Sequence, residues 1–284
     1  MSTATKLNYA EWLTEADTAA VLKALGAGAR VVGGAVRNHL MGLPVADIDI
    51  ACVETPEKSQ ALLEAKGIKV VPTGIQHGTI TAVLPTKQFE ITTLRVDVKT
   101  DGRHADVAFT ADWVEDAKRR DFTVNALYAD ADGTVHDPLG TGLDDLAARR
   151  IRFIGDAATR ISEDYLRVLR FFRFQAWYGK GEPDAEGLKA CADARDGLTQ
   201  LSGERVRDEL LKIASADQAG FAFRQLAATG ILSVVLPEAS RLDRFEHLVD
   251  VEANQLFTCD ALLRLASMLD LDKDGVAALA ARLK

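Results

Sequence analysis

The stretch RVVGGAVRNHLMGLPVADIDI, Arg30 to Ile50, decides the reading of this chain. Arg30-Val31-Val32 is a short apolar run that predicts a buried strand, broken by Gly33-Gly34. An amphipathic segment carrying Val36, Leu40 and Met41 follows, and after Gly42 and Pro44 a second strand is expected over Val45 to Val53. Asp47 and Asp49 lie two residues apart in it, so they project from one face while Ile48, Ile50 and Cys52 turn to the core. Two carboxylates held side by side repel one another, and a divalent cation between them relieves this. Hard oxygen ligands favour Mg²⁺. The glycine pair lets backbone approach a phosphate closely, with N–H groups at the helix start behind it and Arg37 nearby. A phosphate cradle beside metal-binding carboxylates predicts phosphoryl or nucleotidyl transfer.

Outward from that stretch, the chain separates into a β-rich part and a helical part. From Arg30 to about Ala131 short β runs dominate, with helices expected only over Glu57 to Lys66 and Asp112 to Lys118. Ahead of them, Ala16 to Leu25 predicts a helix ending at Gly26. Gly78 to Leu84 and Gln88 to Arg95 predict a hairpin about Pro85-Thr86-Lys87, and Asp132-Gly133 marks a second one. Asp97 to Ala105, DVKTDGRHA, is polar with a glycine and is expected to be a mobile loop. From about Leu143 the periodicity is helical and rich in alanine. The expected fold class is α+β, with a head over 1–150 and a helical neck and partial body over 151–284.

Composition narrows the function. With 284 residues, 48% hydrophobic and 27% charged, the chain has ample core for one or two soluble domains. No apolar run approaches membrane-spanning length, and the N-terminal residues lack a signal-peptide core, so a cytoplasmic protein without membrane contact is expected. No mitochondrial transit peptide is evident. Cys52, Cys191 and Cys259 are widely spaced in apolar settings and are expected to be core thiols in a reducing compartment. A net charge of −8 argues against a protein coated in nucleic acid, and no DNA partner is expected. There is a local exception: Arg149, Arg150, Arg152, Arg160, Arg167, Arg170 and Arg173 fall within 25 positions.

Several further groups could carry chemistry. Glu90 sits between Phe89 and Ile91, on the polar face of its strand, and is a candidate third catalytic carboxylate. Arg119-Arg120-Asp121 could bind triphosphate oxygens while the acid accepts from a ribose hydroxyl. Ser162 reads as the N-cap of a strong helix on which Asp164 and Arg167 share a face. In that helix Leu166, Leu169, Phe172 and Phe174 pack one side, and Arg167, Arg170 and Arg173 form a basic stripe suited to nucleotide or RNA. No histidine or cysteine cluster suggests zinc, and neither a Walker loop nor a nucleophile elbow is present. A metal phosphohydrolase would want histidines among its metal ligands. A binding protein with an inactive head would not need all of Asp47, Asp49 and Glu90.

Taken in order, Gly33-Gly34-Ala35-Val36-Arg37, Asp47-Ile48-Asp49, Arg119-Arg120-Asp121 and Glu163-Asp164-Tyr165-Leu166-Arg167 resemble the class II tRNA nucleotidyltransferases. These CCA-adding enzymes share a superfamily with bacterial poly(A) polymerases. The resemblance runs from Arg30 to Tyr178, includes Phe89 to Arg95 and Thr100 to Ala105, and extends to Leu201-Ser202-Gly203-Glu204-Arg205 with Glu209-Leu210. It implies a polymerase-β-like nucleotidyltransferase head followed by helical neck, body and tail. It also implies that Asp47 and Asp49 bind two Mg²⁺ ions and that Arg119 to Asp121 hold triphosphate and ribose. Asp164 with Arg167 would read the incoming base, and the loop around Arg103 would switch the pocket from C to A. The implied partners are the tRNA 3′ end, CTP and ATP; the related poly(A) polymerase activity would share every head motif. Asn38 departs from the family pattern, which has aspartate there, and the family usually carries more helical body and tail than this chain. The run from Asp274 ends on Arg282-Leu283-Lys284 without a glycine or proline cap.

Overall fold

Gly33 turns the chain out of its first strand with a φ of +68°, a conformation that favours glycine. In the computed structural model, which describes residues 5–101, 104–255 and 257–284, that turn fixes the length of the ladder beside it. β1 (Ala29–Val32) pairs antiparallel with β2 (Asp49–Cys52), Val32 opposite Asp49. Beyond Val32 the chain enters the helix Gly34–Leu40, so residues before Asp49 have no partner on that side. The expected strand from Val45 is therefore shorter. It starts at Asp49, and Asp47 lies just ahead of it. Alternation holds over 47–50, where Ile48 and Ile50 are buried and Asp47 and Asp49 exposed, and then stops, since Ala51 is buried as well as Cys52.

The chain divides into two units, Met1–Ala147 and Ala148–Lys284. In the first, β3 (Lys69–Gly74), β4 (Thr79–Val83) and β5 (Gln88–Thr93) join the same sheet, as do β8 (Tyr128–Ala129) and β9 (Val135–His136). Its order is β3-β4-β5-β2-β1-β8-β9, and only β2 and β5 run parallel among the described pairings. The predicted hairpin about Pro85-Thr86-Lys87 is β4–β5. The segment expected as a loop over 97–105 instead forms a separate antiparallel pair, β6 (Arg95–Asp101) and β7 (His104–Phe109). Its alternating Val96, Val98 and Val107 supply the strand signal that the glycine and charges obscured. Arg103 lies outside the described residues.

Helices cover the sheet where capping residues start them. Ala16–Leu25 ends at Gly26 as expected, and Pro56–Glu64 has proline in its first turn behind Thr55, whose hydroxyl accepts from the Lys58 N–H. Asp112 caps Trp113–Lys118 by accepting from the Val114 N–H at 2.8 Å. Val31, Val36, Ile50, Ile80, Phe89, Ile91 and Phe122 fill the core, each at most 1% exposed. Together with the second unit this gives the expected α+β fold.

The second unit is helical. Leu166–Tyr178 packs against Gly203–Ala214, fastened by the Trp177 Nε1–H to the Lys212 carbonyl (2.7 Å) and Arg173 to Glu209 (2.9 Å). The helix expected to open at Ser162 is in fact two. Ala157–Glu163 is capped by Asp156 and contains Ser162, and Leu166–Tyr178 follows. Between them Asp164 is extended (φ −157°, ψ 108°), and its carboxylate accepts from the Leu166 N–H at 3.1 Å. Aspartate competes with helix in this manner, and so starts a helix better than it continues one. Cys52 and Cys191 are buried free thiols, but Cys259 is exposed, contrary to expectation. No helix among the described residues is long and apolar enough to cross a membrane.

Glu252 and Arg264, each 5% exposed, form an ion pair that joins Leu242–Gln255 to Ala261–Ser267. Arg264 also donates to the Ala214 and Ala216 carbonyls at 2.7 and 3.0 Å. Arg264→Ala leaves a buried carboxylate and two carbonyls without their donor and should cost about 3–5 kcal/mol, read from the urea midpoint. Replacing both partners by leucine should cost much less. Equal losses in the two variants would contradict this account.

Candidate active site

The parallel register of β2 and β5 places Asp49 directly beside Glu90. Neighbouring strands are about 4.8 Å apart, so the two carboxylates share a face at close range. Val32 of β1 and Tyr128 of β8 continue the row on the other side of Asp49. Burial raises the Asp49 carboxyl above its ordinary value; the Glu90 charge raises it further, Arg120 opposes this, and Asp47 adds to it. Glu90 and Asp47, the other two expected carboxylates, thus both act electrostatically on Asp49. Among the described residues no three His, Cys, Asp or Glu side chains form a ready metal cage. Open carboxylates of this kind fit Mg²⁺, which usually keeps waters and takes one or two protein carboxylates plus substrate phosphate oxygens.

Arg120 brings the positive side of the site to the glycine turn. A Cβ built on Gly33 would lie 3.6 Å from Arg120 Nη1 and 3.5 Å from the Asn125 carbonyl, ordinary contact distances, so what favours glycine there is the positive φ and not a lack of room. Arg120 is set by Asp116, which the sequence reading did not single out. The Asp116 side chain is 1% exposed; one oxygen accepts from Arg119 Nε at 2.8 Å, the other from Arg120 Nη2 at 3.2 Å and the Tyr128 hydroxyl at 2.7 Å. Burial alone would raise this carboxyl, but the Arg120 and Arg119 guanidiniums and the Tyr128 hydroxyl hold it below its ordinary value. Asp116 stands three and four residues before the arginines on a helical turn, and that spacing was the available signal.

Arg37 was expected in the phosphate cradle, yet it is 6% exposed. Its guanidinium turns inward, donating to Asn125 Oδ1 and to Asn38 Oδ1 at 2.8 Å from Nη2. Asn125 in turn donates to Asp121 Oδ1 at 3.0 Å, so Arg37 and Asp121 are joined through a residue that no sequence pattern flagged. The Asn38 amide also donates to the Pro44 carbonyl at 3.0 Å.

In the second unit the expected Asp164–Arg167 pairing is replaced by two others. Asp164 Oδ2 accepts from Arg205 at 2.7 Å, and Arg167 pairs with Glu163, which also receives Arg160. The break at Asp164 removes the shared helical face on which the expected pair relied. Arg205 had been noticed only as part of a longer resemblance. The basic stripe is likewise engaged: Arg173 pairs with Glu209, and Arg170 and Arg173 lie over the Phe174 ring at 5.6 and 5.1 Å.

Residues 29–152 match the family described as poly A polymerase head domain, and 182–242 match the probable RNA and SrmB-binding site of polymerase A. Over 263 residues, 90% of this chain, the sequence is 41% identical to the mitochondrial CCA tRNA nucleotidyltransferase 1 of Mus musculus. It is 35% identical over 259 residues to the CCA-adding enzyme of Streptococcus sanguinis. The chain belongs to the tRNA nucleotidyltransferase and poly(A) polymerase family. It spans 59% and 63% of the lengths of those two relatives. The solved CCA-adding enzyme of Bacillus stearothermophilus in complex with CTP superposes with a TM-score of 0.69 at 29% identity, covering 93% of this chain and 68% of that one. The Thermotoga maritima CCA-adding enzyme complexed with tRNA has a TM-score of 0.75 at 22% identity, covering 99% and 70%, and shows the shared fold.

The pairing of Asp49 with Glu90 has a measurable consequence. Because the Asp49 pKa is raised on folding, the folded chain holds that proton more tightly, and the associated stability is lost as pH rises through the raised value. Asp49→Asn should therefore be more stable than wild type at pH 7, by on the order of 0.5 kcal/mol since solvent screens the repulsion. The difference should vanish below about pH 4, where both forms are neutral. Thermal melts across this range check it, and a variant less stable at pH 7 would contradict it.

Proposed function

We propose that the chain carries out template-independent addition of C, C and A to tRNA 3′ ends from CTP and ATP. The observation that supports this most is the in-register pairing of Asp49 with Glu90, next to Arg120 and the Gly33 turn. In this reading 1–150 is the catalytic head, and 151–284 reads the nucleotide and contacts tRNA. Neither DNA nor membrane is a partner. The setting is the cytoplasm, a reading that the buried free thiols Cys52 and Cys191 support.

Asp47 and Asp49 would hold two Mg²⁺ ions, whose chemistry when bound is to make the RNA 3′-hydroxyl a better nucleophile and to offset charge on departing pyrophosphate. Glu90 keeps the carboxylate field beside Asp49 negative. Arg119 and Arg120 bind triphosphate oxygens, and Asp121 accepts from the ribose. Gly33 and Gly34 leave room for phosphate against backbone, and Arg37 braces Asn125 behind Asp121. Asp164 and Arg167 read the base, assisted by Arg170 and Arg173 on the same helix, while Arg103 belongs to the segment that adapts the pocket from C to A. Cytosine and adenine both present an amine donor beside a ring-nitrogen acceptor, which a carboxylate and a guanidinium complement; uracil and guanine present the reverse.

Asp47→Ala and Asp49→Ala should each abolish incorporation into trimmed tRNA without unfolding the protein. Near wild-type turnover in either would overturn the metal assignment. Asp164→Ala should admit UTP and GTP, with selectivity falling by about 5- to 150-fold, because a mismatched desolvated contact costs roughly 1–3 kcal/mol. Undiminished selectivity would move base reading elsewhere. The family description leaves poly(A) addition as a second reading. With CTP alone, extension of a tRNA lacking its end supports CCA addition, whereas extension with ATP only, in long runs, supports the other.

A further inference from the structure

We infer that Asp116 is a positioning residue that holds Arg119, Arg120 and the base of the β6–β7 hairpin in one register, so that nucleotide binding and the hairpin are coupled through a single buried carboxylate. The inference deepens the nucleotidyl-transfer reading and rests on it. Besides the two arginines and Tyr128, Asp116 Oδ1 accepts from the backbone N–H of Arg95, the first residue of β6, at 3.4 Å. Four donors from separate parts of the head thus converge on two oxygens that solvent hardly reaches.

The hairpin base is otherwise tightly set. Leu94, 0% exposed, donates to the Cys52 carbonyl at 2.8 Å and accepts from the Thr110 N–H at 2.9 Å. The Phe109 ring lies against Gly78, where an added Cβ would come within 2.8 Å of it. The Arg95 guanidinium holds the His77 carbonyl. Against these contacts the 3.4 Å bond from Arg95 to Asp116 is the long one, and so the one with room to tighten.

Its length follows from competition. A carboxylate facing two guanidiniums and a hydroxyl spends its charge on the nearest donors. When an anionic triphosphate draws Arg119 and Arg120, Asp116 faces weaker competition and binds the remaining donors, Tyr128 and the Arg95 N–H, more closely. Nucleotide should therefore protect the Arg95 amide although no phosphate need touch it.

The test compares wild type, Asp116→Asn and Tyr128→Phe. CTP affinity is measured by calorimetry with Mg²⁺ present, KM and kcat on trimmed tRNA, and hydrogen exchange at Arg95 with and without CTP. In wild type, CTP should slow exchange at Arg95. Asp116→Asn should weaken CTP binding roughly 10- to 100-fold, mostly in KM rather than kcat, as expected for losing charge-assisted bonds, and should abolish the CTP-dependent change at Arg95. Tyr128→Phe keeps all charges and should give about a 3- to 10-fold loss with a reduced exchange response. If wild type binds CTP and both variants bind it equally well with the same response at Arg95, the inference is overturned. If Asp116→Asn does not fold, a wild-type response in Tyr128→Phe overturns it. If wild type itself binds no CTP, the transfer reading fails instead. Exchange at Arg95 without nucleotide, faster in the variants, then still decides the anchoring.

Discussion

A parallel pair of strands forces Asp49 and Glu90 into adjacent positions of one row, and much of the head is arranged around that repulsion. The sheet cannot relax it by slipping, because moving β2 by one residue would bring Ile50, 1% exposed, out of the core. The like charges are therefore locked in by hydrophobic burial on the opposite face. What offsets them within the chain is Arg120, which reaches the turn that Gly33 makes with its φ of +68°. A buried carboxylate, Asp116, then keeps that arginine charged and oriented. One constraint thus leads from a strand register to an arginine and from there to the buried acid that holds it.

The features legible in the sequence were those set by local rules. Gly33 ends a strand because of its φ, Asp112 starts a helix and Gly26 ends one, and alternation at 47–50 separates core from site. What the sequence hid depended on tertiary partners or on competing local signals. Arg37 reads as a phosphate ligand until Asn125, 88 positions away, is seen to receive it. Asp164 and Arg167 look like helical neighbours because spacing assumes an unbroken helix, and the aspartate breaks it. The 97–105 segment carries both β-branched alternation and turn residues, and the pairing of β6 with β7 resolved the conflict in favour of strand. Cys259 shows the limit of composition: an apolar neighbourhood in sequence did not imply burial.

In the second unit two charged side chains are held by neighbours without using all of their hydrogen-bonding capacity. Both Asp164 oxygens are engaged, one by the Leu166 N–H and the other by Arg205, yet a carboxylate oxygen has a further lone pair for a ligand. The two bonds fix its plane while the residue remains part-exposed. Arg167 is likewise held by Glu163. Held groups lose less conformational freedom on meeting a ligand than free ones, which is the advantage of pre-organisation.

Asn38 departs from the aspartate that the family usually places there, and the structure shows what the amide does. Its oxygen takes two N–H groups of Arg37, at 3.1 and 2.8 Å, as a carboxylate could. Its nitrogen donates to the Pro44 carbonyl, which a carboxylate could not do. The bonds at both ends fix which way the amide faces. The exchange gives up a formal charge opposite Arg37, but Arg37 retains Asn125 as a second acceptor. It gains a tie across the 41–44 turn, which the Asn38 carbonyl also holds by accepting from the Leu43 N–H at 2.8 Å. That turn leads directly to Asp47. Since Asp47 precedes the ladder and has no strand partner to position it, a firmer turn is the nearest available means of fixing where its carboxylate lies relative to Asp49.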